Sequence, residues 1–247
     1  MAKQYVLLDT ETTGTGESDK IIQLGYIVLG NPKPEVHNEF CSCDVPIGFG
    51  AMEVHGITPE MIADKPTCQE TKAYKRLQEL NTDENYMIIH NAPFDLGMLE
   101  KEGFKTKMKV IDTLRVAKHI FEDEDAHRLQ YFRYKMGLYK EEQKEADALG
   151  IAIKAHDAIG DVLTLKLFLS KLREAVEAKF PRENPVEMMV DLTNTPIMIT
   201  TFKFGKYKGK TLEEVARADA GYLRWMLTSM ESLDEDMKYS INTVLGS

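Results

Sequence analysis

A chain of 247 residues has room for one large domain, or for one of middling size followed by a small module. With 31 basic against 40 acidic residues its formal net charge is −9, which excludes nucleic-acid binding by broad charge neutralisation and leaves contact that is local, metal-assisted, or both. At 43% hydrophobic and 29% charged residues the profile is that of a globular protein, with no apolar run of membrane-spanning length.

The N-terminus, Met1-Ala-Lys-Gln, leads straight into a strand and shows no signal-peptide core. Cys41, Cys43 and Cys68 read as reduced thiols, which points to a cytoplasmic protein. Cys41-x-Cys43 has no second pair to complete a zinc site. The first strand is the apolar run Tyr5 to Leu8, which delivers Asp9 and Glu11 and then a Thr-Thr-Gly14 turn. Residues two apart on a strand share a face, so the two carboxylates can point the same way. Paired anions at a core edge suit a divalent metal with hard oxygen ligands. A bare Asp-x-Glu is also what an ordinary solvent-reaching strand end carries.

Residues 14–20 read as a flexible polar turn, 21–29 as a second strand and 36–43 as a third, in a meander. Thr58-Pro-Glu is an N-cap signature for a short helix, and Cys68 to Leu80 is amphipathic. Tyr86 to His90 is a fourth strand that turns through Asn91-Ala-Pro-Phe-Asp95 into a helix, and Val110 to Thr113 a fifth, followed by helix to Phe121. Glu122–Asp125 reads as a solvated loop, 129–136 as helix, and 141–147 as a polar, exposed insert. A strong helix opens at Ala155-His156-Asp-Ala-Ile-Gly-Asp161, with Val162, Leu165, Leu169, Leu172 and Val176 at spacings of three and four.

Prolines at 181, 185 and 196 mark a boundary. The expected organisation is a domain over 1–178, a linker over 179–196 holding a short helix at 186–192, and a small module over 197–247. In the module a strand over 197–204, a basic turn over 205–210, a helix capped at Thr211 and a second helix over 219–230 follow one another. Lys203, Lys206, Lys208 and Lys210, interleaved with Phe202, Phe204 and Tyr207, suit single-stranded nucleic acid. They equally suit a lysine-rich hairpin that keeps a sheet edge soluble.

His156 and Asp161 are five residues apart, about 140° around a helix, and cannot share its face. His156 therefore belongs to the loop leading in, where its near-neutral pKa suits a general base, and Asp161 to the first turn. Asp-x-Glu, then Asn-x-x-Phe-Asp, then His-x4-Asp, each at a strand or helix edge, resembles the DnaQ-like exonuclease superfamily in its DEDDh branch. Ala51-Met-Glu-Val-His55-Gly-Ile-Thr58 is similar to a segment of that superfamily, and residues 198–210 with Gly221-Tyr-Leu-Arg-Trp225 resemble the tail of its exodeoxyribonuclease X-type members.

The resemblance implies an α/β, ribonuclease H-like fold: a mixed five-stranded sheet flanked by helices, plus a small C-terminal α+β module. It implies 3′→5′ hydrolysis of DNA 3′ ends, single-stranded ends preferred, releasing nucleoside 5′-monophosphates in DNA repair, proofreading or degradation. Two Mg²⁺ ions per site, replaceable by Mn²⁺, would be held by Asp9, Glu11, Asp95 and Asp161, with His156 as proton acceptor. Thr10, Thr12 and His55 would meet the terminal nucleotide. Trimming of short RNA, and a nuclease-fold binding module without turnover, are the alternatives. Oligomeric state and protein partners are not legible.

Overall fold

The computed structural model describes residues 3–30, 32–152, 157–231 and 233–246. By compactness the chain divides into two units, 1–193 and 194–247.

The first unit is built on a five-stranded sheet. Its strands are β1 (Tyr5–Thr12), β2 (Ile21–Leu29), β3 (Glu35–Phe40), β4 (Tyr86–Ile89) and β5 (Lys109–Asp112), in the order β3-β2-β1-β4-β5. β2 runs antiparallel to β1 and β3, while β4 and β5 run parallel to β1. The sheet is thus mixed, as expected. Alternation along β1 sends Val6 and Leu8 into one core and Leu7 into another. The core on the Leu7 side is closed by α5 (Thr113–Ile120), α6 (Leu129–Lys135), the long α8 (Ala158–Lys179) and α9 (Pro185–Asn194). The Val6 and Leu8 side is closed by α3 (Lys72–Leu80) and α4 (Ala92–Lys101). With both faces covered, β2 is buried continuously from Ile21 to Val28 rather than on alternate residues.

The remaining helices of this unit are α1 (Phe49–His55), α2 (Pro59–Ile62) and α7 (Glu142–Leu149). α1 is absent from the sequence reading. α7 forms in the polar insert, which is mostly exposed as expected, with Glu142 and Ala146 as the buried exceptions. Its Glu142 is buried because Arg133 on α6 grips the carboxylate through Nε and Nη2 at 2.5 and 2.6 Å and the Thr164 hydroxyl adds 3.2 Å. The turn over 14–20 is tied as well. The Asp19 carboxylate accepts from the Thr13 hydroxyl (2.7 Å) and Gly16 N–H (2.6 Å), and a Cβ on Gly14 would strike it.

The second unit holds α10 (Leu212–Ser229), kinked at Asp219, and α11 (Glu235–Leu245) around a core that includes Phe202, Leu223 and Met226. Thr211 caps α10 through a reciprocal box with Glu214, as its sequence signals. The strand expected over 197–204 is reduced, among the described residues, to the single bridge Thr201–Thr211. Phe202 is buried there and its backbone pairs back across the loop, Phe202 N donating to Lys210 O (2.9 Å) and Gly209 N to Phe202 O (2.8 Å), a run too short to make a strand.

Candidate active site

Asp9 and Glu11 lie on the face of β1 that carries Leu7, and α8 crosses that face. Asp161 enters from the first turn of α8, and one carboxylate oxygen from each of the three lies within 4.8 Å of the others. The approach is set by Gly25, the register partner of Asp9 on β2. A Cβ there would sit 2.9 Å from both Ala158 Cβ and Ile159 N, so only glycine lets the start of α8 press onto the sheet. Gly25→Ala should lower stability by about 1–3 kcal/mol through overpacking, read as a reduced midpoint in urea. It should also weaken divalent-metal binding by displacing Asp161; unchanged binding would show that the cluster does not depend on this contact.

Gln23, also on β2 and 1% exposed, holds the same junction. Its Nε2 donates to Asn38 Oδ1 (2.9 Å) and to Asp157, and its Oε1 accepts from Ala158 N (3.4 Å). Gln130 on α6 donates from Nε2 to Asp161 Oδ1 (2.8 Å). The sequence reading missed all three supports. A glutamine and a glycine inside the apolar run of β2 were the available signal for two of them; Gln130 lies in no motif.

Asp95 stands on the opposite side of β1, outside the set of three whose oxygens lie within 4.8 Å of one another, and its charge acts on Asp9 and Glu11. Asn91 adopts a left-handed conformation (φ 77°), which asparagine tolerates better than most residues, and its N–H donates to Asp112 Oδ1 (3.0 Å). That turn swings the chain from β4 directly into α4, so Asp95 falls in the first helical turn. The Thr10 hydroxyl then donates to Asp95 Oδ1 at 2.7 Å. Phe94, beside it, packs half-buried against the core of that face.

The electrostatics of the cluster are one-sided. Burial first, then the charges of Asp95, Asp161, Glu11 and Asp157, hold Asp9 well above the ordinary carboxylate range. Glu11 is pushed up to about 8, by burial and then by Asp161, Asp95 and Asp157. Asp95 is raised to about 7, chiefly by burial, against the lowering effect of the Thr10 hydrogen bond. The charges that act most strongly on Asp9 are all carboxylates, so the set is short of positive charge. Hard oxygen donors in that state fit divalent cations such as Mg²⁺ or Mn²⁺.

His55 is buried and uses both ring nitrogens on backbone: Nε2 lies 3.1 Å from the Thr12 carbonyl and Nδ1 accepts from Ile57 N (2.9 Å). Burial lowers its pKa, which favours the neutral ring that this pairing needs. Gly48 N donates to the Thr13 carbonyl (2.8 Å) and the Thr12 hydroxyl donates to the Gly14 carbonyl (2.7 Å). The end of β1 is therefore clamped from α1, with His55 acting through Thr12. His156, the expected proton acceptor, lies outside the described residues.

Comparison with known proteins places this geometry. The family model described as Exonuclease matches residues 6–168, and one described as Exodeoxyribonuclease X-like C-terminal matches residues 202–228. Exodeoxyribonuclease 10 of Escherichia coli (strain K12) is 27% identical over 242 residues, 97% of each chain. The DNA polymerase III subunit epsilon of Haemophilus influenzae is 36% identical over 134 residues, 48% of this chain and 51% of that protein. Among solved structures, Exonuclease X in complex with 5′ overhanging duplex DNA superposes with a TM-score of 0.56 at 20% identity, over 77% of this chain and 98% of that one. A five-stranded mixed sheet with acidic residues gathered at β1, matched over residues 6–168, makes this chain a member of the exonuclease family, with an exodeoxyribonuclease X-like C-terminal segment.

Proposed function

We propose that the chain is a 3′→5′ exonuclease that removes nucleoside 5′-monophosphates from DNA 3′ ends, prefers single-stranded ends, and works in the cytoplasm with Mg²⁺, Mn²⁺ substituting. The observation that carries this reading is the convergence of Asp9, Glu11 and Asp161 within 4.8 Å, with Asp95 held beside them by Thr10. The choice of DNA draws on the relatives: one is named an exodeoxyribonuclease and another a DNA polymerase subunit. A binding module without turnover would have no use for a complete carboxylate set.

Asp9, Glu11 and Asp161 would hold one divalent ion, and Asp9 with Asp95 a second. Such ions, when bound, supply positive charge for the phosphodiester and lower the pKa of a bound water. The remaining work falls to the protein. Thr10 fixes the rotamer of Asp95, Gln130 that of Asp161, and Gln23 the start of α8. His156, in the segment leading into α8, would take the proton of the attacking water. Backbone groups of Thr10 and Thr12 would meet the terminal nucleotide, with His55 keeping the Thr12 peptide in place.

The test is release from matched single-stranded DNA and RNA oligonucleotides labelled at the 5′ end, with Mg²⁺ and with a chelator. Stepwise shortening of the DNA from its 3′ end, absent with chelator, is expected. Faster loss of the RNA would reassign the substrate, and chelator-insensitive hydrolysis would remove the metal-dependent reading.

A further inference from the structure

The C-terminal unit carries a surface that the hydrolytic site does not account for. Residues 197–210 contain four lysines and no carboxylate, in a chain whose net charge is −9. Lys203, Lys206, Lys208 and Lys210 are all exposed. The same unit exposes aromatic rings that a folded module would ordinarily bury, and Lys206 lies over two of its tyrosines. Trp225, the sole tryptophan of the chain, is 50% exposed and Phe204 is 44% exposed.

These rings are ordered. Tyr222 and Trp225 are one helical turn apart on α10, so they share a face, with centroids 5.7 Å apart and planes 31° from parallel. Tyr207 meets Tyr222 edge-on at 5.0 Å, and buried Phe202 supports both from beneath. The Lys206 ammonium lies 4.7 Å from the Tyr207 centroid and 5.8 Å from that of Tyr222. Asp219, at the kink of α10, ties the loop to the helix: it accepts from the Tyr207 hydroxyl (2.7 Å) and pairs with Lys206 (3.2 Å). Gly205 and Gly209, at φ of 70° and 86°, supply the left-handed turns that fold the loop tightly.

Solubilising a sheet edge does not explain the lysines, because the short hairpin that closes this loop, through Phe202 N to Lys210 O, Gly209 N to Phe202 O and the Thr201–Thr211 bridge, extends into no sheet among the described residues. Nor does solubility call for an exposed tryptophan. Exposed π-faces beside phosphate-binding cations are what a single strand needs: aromatic rings stack on bases of any sequence while lysines follow the backbone. We propose that this lysine-rich loop and the Tyr222–Trp225 face of α10 form a second nucleic-acid site, which binds single-stranded nucleic acid without hydrolysing it. It extends the nuclease reading by giving the chain a hold on its substrate distinct from the carboxylate cluster. Because neither stacking nor phosphate contact reads the 2′-hydroxyl, thymidine and uridine homo-oligomers should bind alike, within about threefold.

The site contains its own reporter. In full-length protein with a chelator, so that the strand survives, Trp225 fluorescence should fall saturably on addition of an oligothymidylate and much less with a duplex. The triple variant Lys203→Ala/Lys208→Ala/Lys210→Ala should bind at least about tenfold more weakly, and its salt slope should be shallower by roughly 2, at about 0.7 per phosphate contact on a single strand. Trp225→Ala, followed by anisotropy of a labelled strand, should lose about 5-fold to 100-fold in affinity. Absence of quenching in the wild type, quenching equal in the lysine variant, or equal quenching by heparin, which has charge but no bases, would each overturn the proposal. Hydrolysis by the lysine variant on high concentrations of strand would still report on the carboxylate site. Conversely, quenching under chelation would stand even if Asp9 proved irrelevant to turnover.

Discussion

Asp9→Asn is expected to reduce Mg²⁺-dependent hydrolysis by more than about 10³-fold and, in the same protein, to raise the stability of the metal-free fold. Both effects come from one fact. Asp9 sits where Glu11, Asp161 and Asp95 converge, and the first two offer oxygens within 4.8 Å of its own. An amide there is close to isosteric but is a poorer ligand and carries no charge. Losing the electrostatic contribution of a bound ion removes several kcal/mol from the transition state, and each 1.36 kcal/mol is tenfold in rate. Without the ion, the same substitution relieves repulsion among buried carboxylates, worth about 1 kcal/mol or more and roughly 2–4 °C in Tm. His156→Ala should be milder, a loss of about 10²–10⁴-fold typical of a general base, with metal binding retained. Unimpaired turnover in Asp9→Asn would remove Asp9 from the chemistry.

The second large effect is a stability that depends on pH in opposite ways with and without metal. Glu11, raised from 4.5 to about 8, and Asp95, raised from 3.8 to about 7, are acids whose protonated form the metal-free fold prefers; Asp9 is raised with them. Their contribution to stability is complete below the unfolded values near 4 and is lost as pH rises through about 7 and 8, since the unfolded chain then releases protons that the folded chain must hold. In chelator, Tm should fall steadily from about pH 5 to about pH 8. Divalent ions bind the deprotonated carboxylates and stabilise only the folded state, so saturating Mg²⁺ should flatten or reverse that fall. The midpoint with and without Mg²⁺ should coincide near pH 5 and separate towards pH 8. Parallel curves would mean that these groups are not what the ion binds.

Much of the first unit is legible because its signals are local. The period-two placement of Asp9 and Glu11 puts both on one face of β1, and Thr58-Pro59 and Thr211-x-x-Glu214 mark helix starts that the structure reproduces. What escapes the sequence depends on partners far along the chain. Residues 141–147 are rich in charge and read as exposed, yet Glu142 is buried because Arg133 and Thr164 meet it there. α1 carries one glycine, Gly50, between two glycine caps and begins at an 88% exposed Phe49, so it shows no amphipathic pattern; it is fixed instead by Gly48 to Thr13 and by His55 to Thr12. The alternation over 197–204 resembles a strand but only Thr201 has a bridge partner. At the site itself the acids were readable and their supports were not, since Gln23, Gly25 and Gln130 matter through the approach of α6 and α8 rather than through any motif.

The central claim is that the carboxylates on β1, α4 and α8 exist to hold divalent ions. Calorimetric titration of metal-free protein with Mn²⁺ near neutral pH, repeated in two buffers of different ionisation enthalpy, tests it most directly. Saturable binding accompanied by proton release is predicted for the wild type, because Glu11 and Asp95 are partly protonated there without metal. Both the binding and the proton release should be lost or greatly weakened in Asp9→Asn and Asp161→Asn. Wild-type binding without proton release, or equal binding in the two variants, would contradict the assignment of these residues.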